Sequence, residues 1–113
     1  MSEPLAARKC KPCEGGIPAL TPAEATQLLA QISSEWVLTD NARALRRELR
    51  FRDFYRTMSF VNALAHMANI EDHHPDLEVG YNHCRVTYTT HAIRGLSEND
   101  FVCAAKADLI PLT

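Results

Sequence analysis

Apolar and polar residues along the chain recur with two different periods, and the changes between them predict seven elements. Helical spacing predicts a first helix over about residues 21–33, a long second helix over about 53–71 and a third over about 97–110. Period two in the intervening stretches predicts a hairpin in each of them. The order α-β-β-α-β-β-α is typical of an α+β domain, in which helices cover a four-stranded antiparallel sheet.

Capping signals mark where the first and third helices begin. Thr21 precedes Glu24 by three residues, with proline at the first helical position, and Ser97 precedes Asp100 by the same interval. A carboxylate at that position satisfies backbone N–H groups, so we interpret Asp100 as a structural capping residue rather than a catalytic one. The second helix is expected to present a row of apolar residues to the core: Phe54, Met58, Val61, Ala65 and Ala68.

Each predicted hairpin has an apolar and a polar face. In the first, Leu45 and Leu49 alternate with charged residues, and the arginine-rich stretch 43–52 is interpreted as a solvated face. In the second, the residues expected on one face are Leu77, Val79 and Tyr81 and then, after a turn, Cys84, Val86, Tyr88 and Thr90. Thr89 and His91 fall on the opposite face. Four strands leave two open edges, and we expect a second subunit to pair with one of them.

Length, charge and hydropathy indicate the domain organisation. The 113 residues carry a formal charge of −2 and 46% of them are hydrophobic, which suits one compact domain of ordinary size. We predict a flexible N-terminal arm over residues 1–20 and a domain over 21–113. Basic residues are mostly dispersed and no apolar run approaches about 20 residues, so neither nucleic acid nor a membrane is an expected partner, and a cytoplasmic location is expected.

Two of the four cysteines form the segment Cys10-Lys11-Pro12-Cys13 in the predicted arm. This spacing occurs in zinc sites and in redox pairs, but a zinc site needs a second ligand pair and a redox pair opens a helix after a strand. Because neither context is present, we interpret the two thiols as structural or redox-inert. Cys84 and Cys103 lie in apolar strand and helix patterns and are expected to be small core residues.

The segment Glu71-Asp72-His73-His74-Pro75 carries the strongest chemical signal. Neighbouring side chains on a helix diverge by about 100°, so two adjacent histidines can approach one ligand only where the helix ends. Pro75 disfavours the helical conformation of the preceding residue and supplies that end. Imidazole titrates near neutral pH, so the pair points to proton transfer. His66 and His83 lie outside this motif and are expected to have surface or packing roles.

A joint pattern extends from about residue 21 to the C-terminus. It comprises His73-His74-Pro75, Tyr81, Thr90-His91, Gly95-Leu96-Ser97 and Asp100. In residue type and spacing it resembles the pterin-4a-carbinolamine dehydratases. The resemblance implies an α+β fold, assembly as a dimer or tetramer, and removal of water from 4a-hydroxytetrahydrobiopterin. The product is quinonoid dihydropterin, so the reaction recycles the cofactor of aromatic amino acid hydroxylases.

The resemblance also implies the residues of the site. His73, His74 and His91 are then the catalytic histidines. The substrate-binding residues are Asp72, His73, His74, Thr89, Thr90, His91 and Ala92. No metal or organic cofactor is implied, the substrate is a pterin, and a hydroxylase of the same pathway is a further partner.

Asn69 and Leu77 depart from the family pattern, which commonly has an acidic residue at the first position and often Trp at the second. They favour an alternative function on the same scaffold, that of a non-catalytic protein-binding or assembly factor.

Overall fold

The computed structural model describes residues 4–12 and 17–112 and contains three helices and one four-stranded sheet. The helices are α1 (Pro22–Leu29), α2 (Phe54–Glu71) and α3 (Glu98–Ala107), and the strands are β1 (Val37–Thr39), β2 (Ala44–Arg50), β3 (Asp76–Val79) and β4 (His83–Tyr88). The predicted α+β class and the order of helices and strands are confirmed. Single 3-10 turns over Leu5–Ala7 and His91–Ile93 precede α1 and α3. Within the described ranges, no helix is long and apolar enough to cross a membrane.

The sheet has the order β1-β2-β4-β3, and every neighbouring pair is antiparallel. In the central ladder Leu45 of β2 stands opposite Tyr88 of β4, and both are fully buried. On the other face Arg85 donates hydrogen bonds to Glu48 and to Glu78 at 2.8 to 2.9 Å. One face of the sheet therefore packs under the helices while the other carries a ladder of charges, as the alternation predicted.

Arg47 is an exception to the predicted solvated face of the arginine-rich stretch. It shares the buried face with Leu45 and Leu49, since residues two apart point the same way along a strand. Its guanidinium donates to Asp108 at 2.7 Å, and the same carboxylate oxygen accepts the indole N–H of Trp36 at 2.8 Å. Asp108 lies just past the end of α3, and its carboxylate offsets the cost of removing the Arg47 charge from water.

The core face of α2 is rotated from the predicted one. Phe54 is 48% exposed, and Ala65 is exposed as well. The buried residues of the helix are Thr57, Phe60, Val61, Leu64 and Ala68. Thr57 can lie in this row because its hydroxyl has hydrogen-bond acceptors there. Its oxygen lies 2.9 Å from the carbonyls of both Asp53 and Tyr81, which share the single hydroxyl hydrogen. The apolar pattern could not indicate that a polar residue belongs to this buried row.

Several elements are shorter than predicted. α1 ends at Leu29 and α3 at Ala107, and each is followed by backbone bonds between residues three apart that extend the turn through Ile32 and Ile110. The apolar periodicity continues through these tightened turns. β3 ends at Val79, and Tyr81 lies in the hairpin turn, 66% exposed, with its ring stacked on Phe54.

Residues 4–12, here called the N-terminal segment, pack against α3. Leu5 is 3% exposed and belongs to the hydrophobic core. The backbone of Lys11 exchanges two hydrogen bonds with the side chain of Asn99, at 2.9 and 2.6 Å. Within the predicted arm, residues 4–12 thus contact residues about 90 positions away, and no local sequence pattern indicates these contacts.

Candidate active site

The histidine pair follows directly on the C-terminal end of α2. Asp72 adopts the left-handed conformation, with φ of 51°. Its N–H bonds to the carbonyl of Asn69 at 3.3 Å, and the N–H of His73 bonds to that of Ala68 at 3.2 Å. These two bonds form the Schellman arrangement that satisfies the last carbonyls of a helix. The predicted helix end before the pair is confirmed.

His73 is held in the interior by an aromatic ring and a buried carboxylate. Its Nε2 lies 2.6 Å from Oδ1 of Asp100, and its ring stacks on Tyr88 with centroids 5.8 Å apart and planes 4° from parallel. The His73 side chain is 12% exposed, and that of Asp100 is not exposed at all. A ring against one face and a carboxylate at one edge restrict the imidazole to a single orientation.

Asp100 connects the start of α3 to the end of β4. Its Oδ2 accepts hydrogen bonds from the backbone N–H of Ser97 at 2.9 Å and from the hydroxyl of Thr90 at 2.8 Å. The predicted capping box is confirmed, but the contact of Oδ1 with His73 was missed because its 27-residue separation gives no local signal. An ionised carboxylate can only accept, so we assign donation to Nε2–H of His73, which leaves the lone pair on Nδ1.

His74 has a different environment from its neighbour. The residue is exposed, and its Nε2 lies 3.0 Å from the amide oxygen of Asn69, one turn back on α2. Two adjacent imidazoles therefore differ in both solvent access and hydrogen-bond partner. Such a difference suits two different roles in proton transfer.

The third histidine follows the end of β4. Thr90 lies outside this strand, which corrects its predicted place in the alternation, and instead forms an isolated bridge to Gly95. The hydroxyl of Thr89 donates to the carbonyl of Arg43 at 2.6 Å. His91 then begins a single 3-10 turn and is exposed. The bridge between Thr90 and Gly95 holds the backbone on either side of the turn that contains His91.

The ends of α2 and β4 meet around a cavity of about 680 Å³. All seven residues predicted for substrate binding line it: Asp72, His73, His74, Thr89, Thr90, His91 and Ala92. His66 and His83 do not. A cavity of this size is within the usual range for a small-molecule site.

A second part of the cavity wall was not indicated by the sequence. It is formed by the N-terminal segment and α3, through Cys10, Lys11, Pro12 and Asn99. Glu71 anchors this wall, because its carboxylate accepts the N–H of Cys10 at 2.9 Å and lies 3.7 Å from the Lys106 ammonium. The Cys10 N–H first, and Lys106 to a lesser degree, lower the pKa of Glu71 from its ordinary value.

The cavity thus combines one buried and oriented imidazole with two exposed ones. An acid and a base can reach one ligand from different sides in this arrangement, and both can work near neutral pH. Nowhere in residues 4–12 and 17–112 do three His, Cys, Asp or Glu side chains come together in a group that could hold a metal ion.

Comparison with known sequences agrees with the resemblance noted above. The profile of the family described as pterin 4 alpha carbinolamine dehydratase matches residues 18–110. A Nitrosomonas eutropha protein, provisionally named pterin-4-alpha-carbinolamine dehydratase, is 59% identical over 106 residues, which cover 94% of this chain and 92% of that protein. A Legionella pneumophila protein with the same provisional name is 51% identical over 108 residues, 96% of each chain.

Two solved structures share the fold. A protein described as a transcriptional coactivator/pterin dehydratase from Brucella melitensis has a TM-score of 0.74 and 32% identity, over 79% of this chain and 94% of its own. A pterin dehydratase-like protein described as a RuBisCO assembly factor in the alpha-carboxysome has a TM-score of 0.57 and 21% identity, over 66% of this chain and 86% of its own. At that identity the second likeness shows the fold alone.

Proposed function

Because this chain belongs to the pterin-4a-carbinolamine dehydratase family, we propose that it dehydrates 4a-hydroxytetrahydrobiopterin to quinonoid dihydropterin. The observation that carries the proposal is that three histidines from two separate chain segments line one cavity. One of the three is oriented by a fully buried carboxylate.

The reaction breaks the bond between C4a and its hydroxyl oxygen and removes the proton from N5, so that C4a and N5 become doubly bonded and water leaves. His73 is suited to accept the N5 proton through Nδ1, because Asp100 stabilises the imidazolium that results. His91 and His74 are exposed and exchange protons with solvent. They are suited to protonate the departing hydroxide. Each such group contributes roughly 10² to 10⁴ in rate.

In this proposal the polar groups around the histidines orient the substrate. We assign the pyrimidinone edge of the pterin to the Asp72 carboxylate and to the backbone of residues 89–92, which line the same cavity. Adjacent donors and acceptors on the pyrimidinone match a carboxylate and peptide groups. The fixed backbone at Thr90 and Gly95 makes this edge rigid, as substrate positioning requires.

The experiment is an assay of 4a-hydroxytetrahydropterin dehydration by purified protein. We expect His73→Ala and His91→Ala each to lower kcat by roughly 10² to 10⁴, and the double variant to fall to the uncatalysed rate. Pterin binding should persist in the single variants, since other groups hold the pyrimidinone. His66→Ala, which removes an exposed histidine of α2 outside the cavity, is the matched control and should retain wild-type turnover.

Two results would contradict the dehydratase proposal. One is wild-type turnover in the double variant. The other is a wild type with neither turnover nor pterin binding, in which case the non-catalytic protein-binding or assembly function replaces the enzyme.

We further propose that the chain acts in the cytoplasm as a homodimer or homotetramer, in the recycling pathway of a hydroxylase. β1 and β3 are the edge strands of the sheet, and Val37 and Val79 on them are 48% and 43% exposed. An exposed apolar edge is a strand that proteins usually cover. Light scattering on the purified protein measures the mass of the assembly. A monomer at micromolar concentration would contradict the proposed dimer or tetramer.

A further inference from the structure

Two cysteines far apart in sequence lie in contact beside the cavity. Sγ of Cys10 in the N-terminal segment is 3.4 Å from Sγ of Cys103 on α3. Both are free thiols. Formation of a disulfide bond of about 2.05 Å requires the two sulfur atoms to approach by little more than an ångström. Cys84, the other described cysteine, is buried in β4 and is not part of this pair.

The two thiols of the pair differ in access. Cys103 is fully buried, whereas Cys10 is partly exposed and lines the wall of the cavity. The contact with Cys10, together with burial, raises the pKa of the Cys103 thiol. Cys103 therefore stays protonated, and a reagent in solution meets Cys10 first. An accessible cysteine with a second thiol behind it is the arrangement found in redox-sensing pairs.

A second cavity, of about 610 Å³, opens on the other side of Cys10. Its charged lining consists of Arg8, Lys9, Lys11 and Glu98. Arg8 and Glu98 form an ion pair with each other at 2.7 Å, so the net positive charge of the lining comes from Lys9 and Lys11 and favours a small molecule that carries carboxylates. Cys10 thus stands at the wall of a basic cavity, which can bring an anionic reagent to its sulfur.

We propose that Cys10 and Cys103 form a reversible disulfide, and that the oxidant is a small anionic disulfide of the oxidised glutathione class. The thiolate of Cys10 attacks one sulfur of the reagent, which breaks the reagent's S–S bond and releases one thiolate. Cys103 then loses its proton and attacks the mixed disulfide at the Cys10 sulfur, and a second thiolate leaves. The protein loses two protons and two electrons, and the reagent is reduced to two thiols.

The disulfide would join the N-terminal segment covalently to α3. This segment is otherwise held by Leu5 and by hydrogen bonds such as those between Lys11 and Asn99. Oxidation therefore fixes one wall of the central cavity, and reduction releases that covalent bond. The inference does not depend on the dehydratase proposal, since it rests on the contact between the two thiols and on the solvent access of Cys10.

Cys13 lies outside the described residues and is the thiol in the sequence that competes with Cys103 for Cys10.

The experiment treats the reduced full-length protein with oxidised glutathione, blocks remaining thiols, and digests it after glutamate residues without reduction. Because the bond between Glu3 and Pro4 resists cleavage, peptide 1–14 then contains Cys10 and Cys13, and peptide 99–113 contains Cys103. We expect these peptides to be disulfide-linked in the wild type, in Cys13→Ser and in Cys84→Ala, which is the control for a buried cysteine. In the double variant Cys103→Ala, Cys13→Ser the glutathione adduct should remain on peptide 1–14, because both thiols that could displace glutathione are missing.

Cys10→Ser keeps the proposal falsifiable should Cys103→Ala fail to fold, since it alters a partly exposed position. In this variant the modification of Cys103 should fall by at least about tenfold, because the buried thiol then has no exposed partner to react first. A disulfide only within peptide 1–14, or wild-type modification of Cys103 in Cys10→Ser, would overturn the proposed pairing of Cys10 with Cys103.

The charge of the oxidant is tested with cystamine, a disulfide that carries two positive charges. We expect oxidised glutathione to react faster than cystamine at low salt and this preference to shrink as salt is added. Faster reaction with cystamine would overturn the assignment of an anionic oxidant.

Discussion

One wall of the central cavity carries three histidines just past the ends of α2 and β4, whereas another wall is the N-terminal segment lying on α3. The histidine wall depends on local backbone features, such as the left-handed Asp72 and the bridge between Thr90 and Gly95. The N-terminal wall depends on contacts between residues about 90 positions apart. The first wall carries the three histidines, and the second completes the lining of the cavity.

If the walls differ in this way, the largest kinetic effect should come from the group that orients His73. We expect Asp100→Asn to lower kcat by about 10², within the range for one positioned acid or base, while KM stays near the wild-type value. The amide no longer stabilises an imidazolium on His73. Thr90→Val removes only a hydroxyl that donates to Asp100 and should have a smaller effect on kcat.

Steady-state kinetics at several pH values distinguish this role from a merely structural one. Loss of the N-cap alone would lower the free energy of unfolding and leave the kcat of the folded protein and its pH profile unchanged. An Asp100→Asn protein with wild-type kcat would therefore show that the carboxylate only caps α3.

How much the N-terminal wall contributes to stability is tested at Leu5. Leu5→Ala should lower the free energy of unfolding by roughly 2 to 5 kcal/mol, as truncations of buried leucines do. Leu109→Ala, at a position that is 71% exposed, is the matched control and should change it by less than about 0.5 kcal/mol. Urea denaturation measures both. Equal effects in the two variants would show that the segment does not share the core.

The sequence predicted the histidine wall far better than the N-terminal wall, for a physical reason. Pro75 and the adjacent histidines mark a helix end locally, and the Ser97 capping box marks the start of α3. All seven predicted site residues accordingly line one cavity. Cys10 and Asn99 carry no such local signal, because each meets its partners only when the segment packs on α3.

The same distinction explains the errors within the fold. Thr57 is a polar residue in the buried row of α2, and its hydroxyl has two acceptors there, the carbonyl of Asp53 one turn back and the distant carbonyl of Tyr81. Arg47 can be largely buried because Asp108, 61 positions away, accepts from it. Apolar periodicity predicts elements but cannot reveal which polar groups will find partners.

A smaller effect is expected from pH at the Glu71 anchor. The folded-state pKa of Glu71 is lowered by the Cys10 N–H and Lys106, so its stabilisation is fully present above the unfolded pKa of about 4.3. It is lost as pH falls through the lower folded-state pKa. Glu71→Gln should therefore have a lower Tm than the wild type at pH 7, and the difference should shrink at pH 3. A Tm difference that is unchanged between these pH values would contradict the anchor.

The central claim is that one pterin lies between the helix-end histidines and His91, and a crystal structure with a bound dihydropterin that lacks the 4a-hydroxyl tests it most directly. We expect the ring in the 680 Å³ cavity, with N5 within hydrogen-bond distance of His73 Nδ1 and C4a facing His91. The pyrimidinone edge should contact Asp72 and the backbone of residues 89–92. A pterin bound elsewhere on the protein, or one in the cavity with its pyrimidinone edge toward the histidines, would contradict the account.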